Sequence, residues 1–147
     1  MFHDIQNQLS SKQALAGVTA TVSTDVYDTG KVGGSDISIG GKTGISVLVV
    51  PTAVAVATGG IKIEFIQSAD DTMSSPDVLA TRDIAAADLK VDARLELPIP
   101  QGSISKRFVA IRYTGGNAAL AANVSGYIVP TAEIPVWKPF PKVYNTI

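Results

Sequence analysis

His3 is the only histidine in the chain, and cysteine is absent. Together these facts set the chemistry that the side chains can perform. Disulfide frameworks, zinc–cysteine sites, iron–sulfur clusters and thiol catalysis are excluded. Sites needing two histidines, which cover most zinc hydrolases and the two-His facial triad, are excluded too. A serine triad needs a general base, usually histidine. His3 lies near the start of the chain, away from any strand-to-helix elbow, and no G-x-S-x-G is present. Gly40-Gly41-Lys42-Thr43 matches the last four positions of a phosphate-binding P-loop. The motif also needs a glycine where this chain has Asp36, and a helix where this chain runs into a strand-like segment. Gly-Lys-Thr in a turn is the simpler reading. Asp70-Asp71 raises calcium, but an EF-hand loop places glutamate at its twelfth position, and here that position is Thr81 or Arg82. An irregular site drawing on Asp25, Asp28 or Asp36 stays open. Residue types alone leave paired glycosidase carboxylates open, yet the only glutamates are Glu64, Glu96 and Glu133, and two of them fall on predicted outer faces or in the tail. Asn123-Val124-Ser125 matches a glycosylation acceptor, and Lys106-Arg107 is a basic step at a strand start. No constellation supports an enzyme, and no cofactor or metal is expected.

The elements that would position these residues read as strands. Val18, Ala20 and Val22 alternate with Thr19, Thr21 and Ser23, a period of two. Ile45 to Val50 is apolar on both faces after Ser46, which predicts a central strand ending at Pro51. Ile61, Ile63 and Phe65 alternate with Lys62 and Glu64. Val78–Asp83, Arg94–Leu97, Arg107–Tyr113 and Asn123–Val129 read the same way, and 68–77 is a loop by composition. Ile84 to Val91 is read as a short helix. Strands at this spacing, separated by Gly, Pro and Ser and without long amphipathic helices, predict an all-β, jelly-roll-type antiparallel β-sandwich.

The expected organisation is an N-terminal arm over 1–17, a β-sandwich domain over 18–130 and a Pro/aromatic C-terminal arm over 131–147. Pro130, Pro135, Pro139 and Pro141 forbid a helix there and favour an extended arm, and Trp137, Phe140 and Tyr144 lie among them. Two readings of that tail stay open. Either it packs back on its own sandwich, or it docks on a neighbouring subunit, since large aromatics dominate interface energies. Phe2, Ile5 and Leu9 at one end, with Trp137, Phe140 and Tyr144 at the other, are the candidate interface anchors.

Charge and hydropathy narrow the class further. Twelve basic and 13 acidic residues give a net charge of −1, without the basic excess of a nucleic-acid binder. Charged residues make up 17% of the chain, below the usual quarter, so the surface is expected to be polar but weakly charged. The N-terminus has no basic-then-apolar signal pattern. Ile45–Ala57, the most apolar stretch, is interrupted by Ser46, Pro51 and Thr52 and falls short of the ~18–20 residues of a membrane span. Neither nucleic acid nor membrane is an expected partner.

Several blocks, taken in order, resemble one family. They are Thr24-Asp25-Val26-Tyr27-Asp28-Thr29-Gly30, Gly60 through Asp71, Val78-Leu79-Ala80 followed by Arg94-Leu95-Glu96-Leu97-Pro98-Ile99-Pro100, and Arg107 through Thr114 leading to Gly126-Tyr127-Ile128-Val129. Their order from about residue 6 to residue 130 is similar to that of phage capsid cement (decoration) proteins of the Bordetella-phage type. The resemblance implies a jelly-roll virion protein on the outer surface of an icosahedral head. It implies the major capsid protein as partner, a homo-oligomer with a dimer favoured, and no catalysis. The competing expectation is a carbohydrate-binding β-sandwich module of a phage tail or fibre.

Overall fold

The structure is a computed structural model and describes residues 7–30 and 44–136. Among the described residues nine strands form in chain order: β1 Gln8–Ala16, β2 Thr21–Val22, β3 Tyr27–Asp28, β4 Ile45–Val56, β5 Ile61–Ser68, β6 Asp77–Ile84, β7 Leu95–Pro98, β8 Phe108–Gly115 and β9 Ala121–Pro130. A 3-10 helix, Thr131–Val136, follows. Two sheets result. Sheet I has the order β1-β9-β4-β7; sheet II has the order β2-β8-β5-β6, with β3 also paired to β8.

Every ladder is antiparallel, and the pairs are nested. β5 pairs with β6, β4 with β7, β2 and β3 with β8, and β1 with β9. A long hairpin folded over on itself in this way is the jelly roll, the all-β sandwich expected from the alternation. β2 and β3 act as one interrupted strand. Between them Ser23 donates its N–H to Ile111 O (2.7 Å), and its Oγ accepts from Ile111 N (3.1 Å), so the ladder on β8 continues across the break.

Alternation fills the space between the sheets. Val47 and Val49 of β4 and Val124 and Ile128 of β9 meet Ile61, Ile63 and Phe65 of β5 and Val109, Ile111 and Tyr113 of β8. Tyr113 is buried, and its hydroxyl shares a hydrogen bond with Ser10 Oγ at 3.0 Å. Burial pushes its ionisation far above the ordinary phenol range.

Six expectations need correction. Of the alternation read over Val18–Ser23 only Thr21–Val22 is strand, and Val18 lies in the preceding turn, 55% exposed. Residues 131–136, expected to open an extended arm, form the 3-10 helix. The segment expected as an N-terminal arm contains β1, which pairs with β9 from Gln8↔Tyr127 to Ala16↔Ala121. Two register shifts in β1 break the period-two signal, and Lys12 takes φ 48° at the second. Leu9, expected as an interface anchor, is 1% exposed and belongs to the core. Pro51 does not end β4, which runs on to Val56. The Pro51 carbonyl accepts from Asp92 N (2.9 Å), away from β9. In an antiparallel strand the missing N–H points to that same side, where the β7 ladder has already stopped at Val49↔Leu95. Finally, Ile84 closes β6, and the 85–94 connection is made of turns that tuck Leu89 into the core, with no helix.

Candidate interaction surface

The nested pairing sorts the connections between the two ends of the sandwich. At one end sit the short turns 17–20, 57–60 and 116–120, together with 85–94. Gly59, Gly60 and Gly116 pack backbone on backbone there; a Cβ on Gly60 would overlap the Ile84 carbonyl. At the other end lie the start of β1, the end of β3, the start of β4, the 69–76 and 99–107 loops, and the end of β9. The register fixes this arrangement: Ile45 opposes Pro130, Ser46 opposes Pro98, and Phe108 opposes both Ser68 and Asp28. The segments before Asn7 and after Val136, and the ends of the 31–43 connection, are therefore all rooted in one end of the molecule or the sheet face beside it.

That open end is held by polar side chains. Asp28 receives two hydrogen bonds from Arg107, Nε to Oδ1 and Nη2 to Oδ2, both 2.7 Å, and the guanidinium lies 5.1 Å from the Phe108 ring centroid. The Arg107 bonds, with help from Gly30 N, lower the Asp28 carboxyl to about 2. Thr29 donates both its N–H (2.9 Å) and its hydroxyl (2.7 Å) to Arg107 O. Gln67 Oε1 accepts from Ser105 N (2.9 Å) and Lys106 N (3.1 Å), and Lys106 pairs with Asp77 at 2.6 Å. Asp70, raised above as a calcium ligand, accepts from the hydroxyls of Ser68, Thr72 and Ser74 and from Ser74 N. These donors hold its carboxyl well below the usual range and fold the 69–76 loop so that Met73 covers Ile66 and Ala110. The carboxylate serves as the hub of a turn.

A second apolar surface lies outside the sandwich. Leu48 and Val50 of β4 and Tyr127 and Val129 of β9 point away from the core, yet each is at most 8% exposed. Ile134 of the 3-10 helix packs on them. Thr131 N donates to Gly44 O (3.2 Å), Thr131 Oγ1 shares a bond with Ser46 Oγ (2.7 Å), and Ile134 O accepts from Arg94 Nη1 (3.2 Å). The root of the C-terminal segment thus folds back over sheet I. The signal was in the sequence: β4 and the Tyr127-Ile128-Val129 run are apolar at successive positions, as a strand buried on both faces must be.

Of the six predicted anchors, Leu9 lies in the core, and Phe2, Ile5, Trp137, Phe140 and Tyr144 lie outside the described residues. So do His3 and the Gly40–Thr43 motif. Glu64 is bound to Arg112 at 2.6 Å, and Glu96 accepts from Ser46 Oγ (3.1 Å). Among the described residues no cluster of three His, Cys, Asp or Glu side chains could hold a metal ion, and no helix is long and apolar enough to cross a membrane.

The profile of the Bbp16 family matches residues 9–128, from the second residue of β1 almost to the end of β9. The chain belongs to this family of Bordetella phage proteins. The matched span takes in all or nearly all of every described strand, β1 included. No curated protein matches the chain.

Proposed function

We propose that this protein is a phage capsid cement, or decoration, protein. In this reading it binds the major capsid protein on the outer surface of an icosahedral head, stabilises the expanded shell across capsomer boundaries, and pairs with a second copy of itself. Its role is structural and not catalytic, and its place is the virion after assembly in the host cytoplasm. The observation that carries the reading is the union of a phage-family jelly roll with outlying segments whose described roots lie at one end of the sandwich or on the face of sheet I beside it. A closed sandwich supplies a rigid body, and segments rooted together can reach more than one neighbour. Each further contact then forms at high effective concentration. The near-zero net charge permits dense packing without long-range repulsion. The contact residues in this reading are Phe2 and Ile5 before β1, and Trp137, Phe140 and Tyr144 after the 3-10 helix.

The test is co-sedimentation with expanded, DNA-free capsids that lack the protein. Saturable binding at a fixed ratio to the major capsid protein, with a raised shell melting temperature, is the expected result. Failure to sediment with the cognate shell would remove the cement reading. Truncation of 1–6 together with 137–147 leaves every described strand and Ile134 in place, and is expected to abolish shell binding while preserving the fold.

A further inference from the structure

A sheet edge invites a further strand unless it is blunted. β1 is blunted by two register shifts, β7 by being four residues long, and β2 and β3 by being two-residue pieces with a break between them. β6 is the exception: eight residues, one register shift, and β5 as its single ladder partner among the described residues. Its free backbone groups follow from the phase of the ladders. Ile111 and Arg107 of the β8 side aim their backbone at β2 and β3, since Ser23 N donates to Ile111 O and Thr29 N to Arg107 O. In an antiparallel sheet the bonding side alternates from residue to residue. Tyr113 and Val109 share that phase, so Ile63 and Gln67, which oppose them, bond towards β6. Their partners there, Arg82 and Asp77, face β5. Thr81 and Val78 are left with N–H and C=O turned to the open edge.

The register shift opposite Phe65 and Ile66 puts Asp77 and Arg82 on the same, inner face of β6. Both are held at the rim by their own chain: Lys106 pairs with Asp77 at 2.6 Å, and Arg82 donates to the Glu96 carbonyl. Asp77 stays 55% exposed and keeps room for a second cation. A second copy laid antiparallel about a two-fold axis meets this edge with its own complement. Val78 bonds the partner's Thr81, and Thr81 bonds the partner's Val78. Asp77 then stands opposite the partner's Arg82, and Arg82 opposite the partner's Asp77, with opposite charges paired at both ends of the ladder. The two bulges meet at the axis, so the irregular spacing of each chain matches itself. Val78, 46% exposed on the outer face, gains a β-branched neighbour. Pro76 has no N–H to give to the partner's Asp83, and the ladder ends there. Registers centred on Arg82 or on Asp83 would set like charges opposite each other.

We propose that two copies join through their β6 edges in this register, so that sheet II runs on from one protomer into the next. The inference rests on the reading above that the protein pairs with a second copy of itself, and adds the strand and the register. The two-fold axis sends the two open ends in opposite directions, so a dimer carries its outlying segments to both sides.

Sedimentation velocity of the full chain over a concentration series is the test. The wild type is expected to form a dimer. Thr81→Pro removes an N–H that β5 does not use, and should give a monomer with its circular dichroism retained. Asp77→Arg and Arg82→Asp should each do the same, by setting like charges opposite each other at both ends of the ladder. Mixed in equal amounts, these two variants should form a one-to-one heterodimer, because each edge then meets the charge it needs. A residue required only for its own fold would not be rescued by the other variant. Lys12→Glu, on the β1 edge, should leave the dimer unchanged. A wild type that is monomeric at every concentration overturns the pairing itself, and this inference with it. A dimer that survives Thr81→Pro and both charge reversals leaves the pairing standing and overturns the β6 seam, as does failure of the two reversal variants to associate.

Discussion

Gly126 lies on β9 where Tyr113 crosses it: a Cβ there would overlap the Tyr113 hydroxyl and come within 2.8 Å of Ile111 Cδ1. The glycine makes room for a ring whose oxygen must reach Ser10. Gly126→Ala is expected to cost ~1–3 kcal/mol through overpacking of a dense core, read as a lowered melting temperature. Asp28 carries a pH dependence. Its folded carboxyl titrates at about 2, below the ordinary 3.8, chiefly because of the Arg107 hydrogen bonds. A depressed acid contributes stability above its unfolded value and loses it as pH falls through the folded one. The contribution therefore disappears between about pH 4 and pH 2, and Asp28→Asn is expected to flatten the stability profile in that window. The pair is exposed, so added salt should weaken the effect.

Side chains span both open sides of the sandwich. Between β1 and β2, Gln13 donates to Val22 O (2.8 Å) and accepts from Thr24 N (3.1 Å) and Ser10 Oγ (2.8 Å). Between β6 and β7, Arg82 donates to the Glu96 carbonyl. Gln13→Ala is expected to speed amide exchange at Thr24 and to lower stability by roughly 1–3 kcal/mol; unchanged exchange there would show that the clasp holds nothing. Gln13 also marks the limit of what period-two patterning reveals. β5 and β8 are legible because every inward position is apolar and every rung regular. β1 is not, because Ser10 turns inward to meet polar partners and two bulges shift the phase. Pro51 misleads for a related reason: proline excludes a donor from one side of a strand only, and β7 is too short to need it. The 85–94 connection, rich in alanine, has helical composition, but Asp92 at φ 63° and the tether to Pro51 O hold it in turns. The covered outer face of sheet I was half legible. The double-sided apolarity of β4 announced a covered outer face, but the residue that covers it, Ile134, lies among prolines that read as an extended arm.

For the whole molecule the governing fact is nesting. Its innermost pair, β5 with β6, is joined by the 69–76 loop, whereas its outermost pair joins the first strand to the last. Contacts that close short loops form before those that close long ones, since loop-closure entropy must be met first. Leu15→Ala in β1 is therefore expected to act mainly on the unfolding rate, and Ile63→Val in β5 more on the folding rate; equal partition at both sites would contradict the order. During synthesis, β4 emerges long before β9, its central neighbour, exists. Until β9 leaves the ribosome, a twelve-residue, mostly apolar strand stands with an open edge, the kind of segment that nascent chains aggregate through. A protein built this way becomes safe to accumulate only once β9 is available to cover that edge, so each copy's fate hangs on how long β4 waits for its partner.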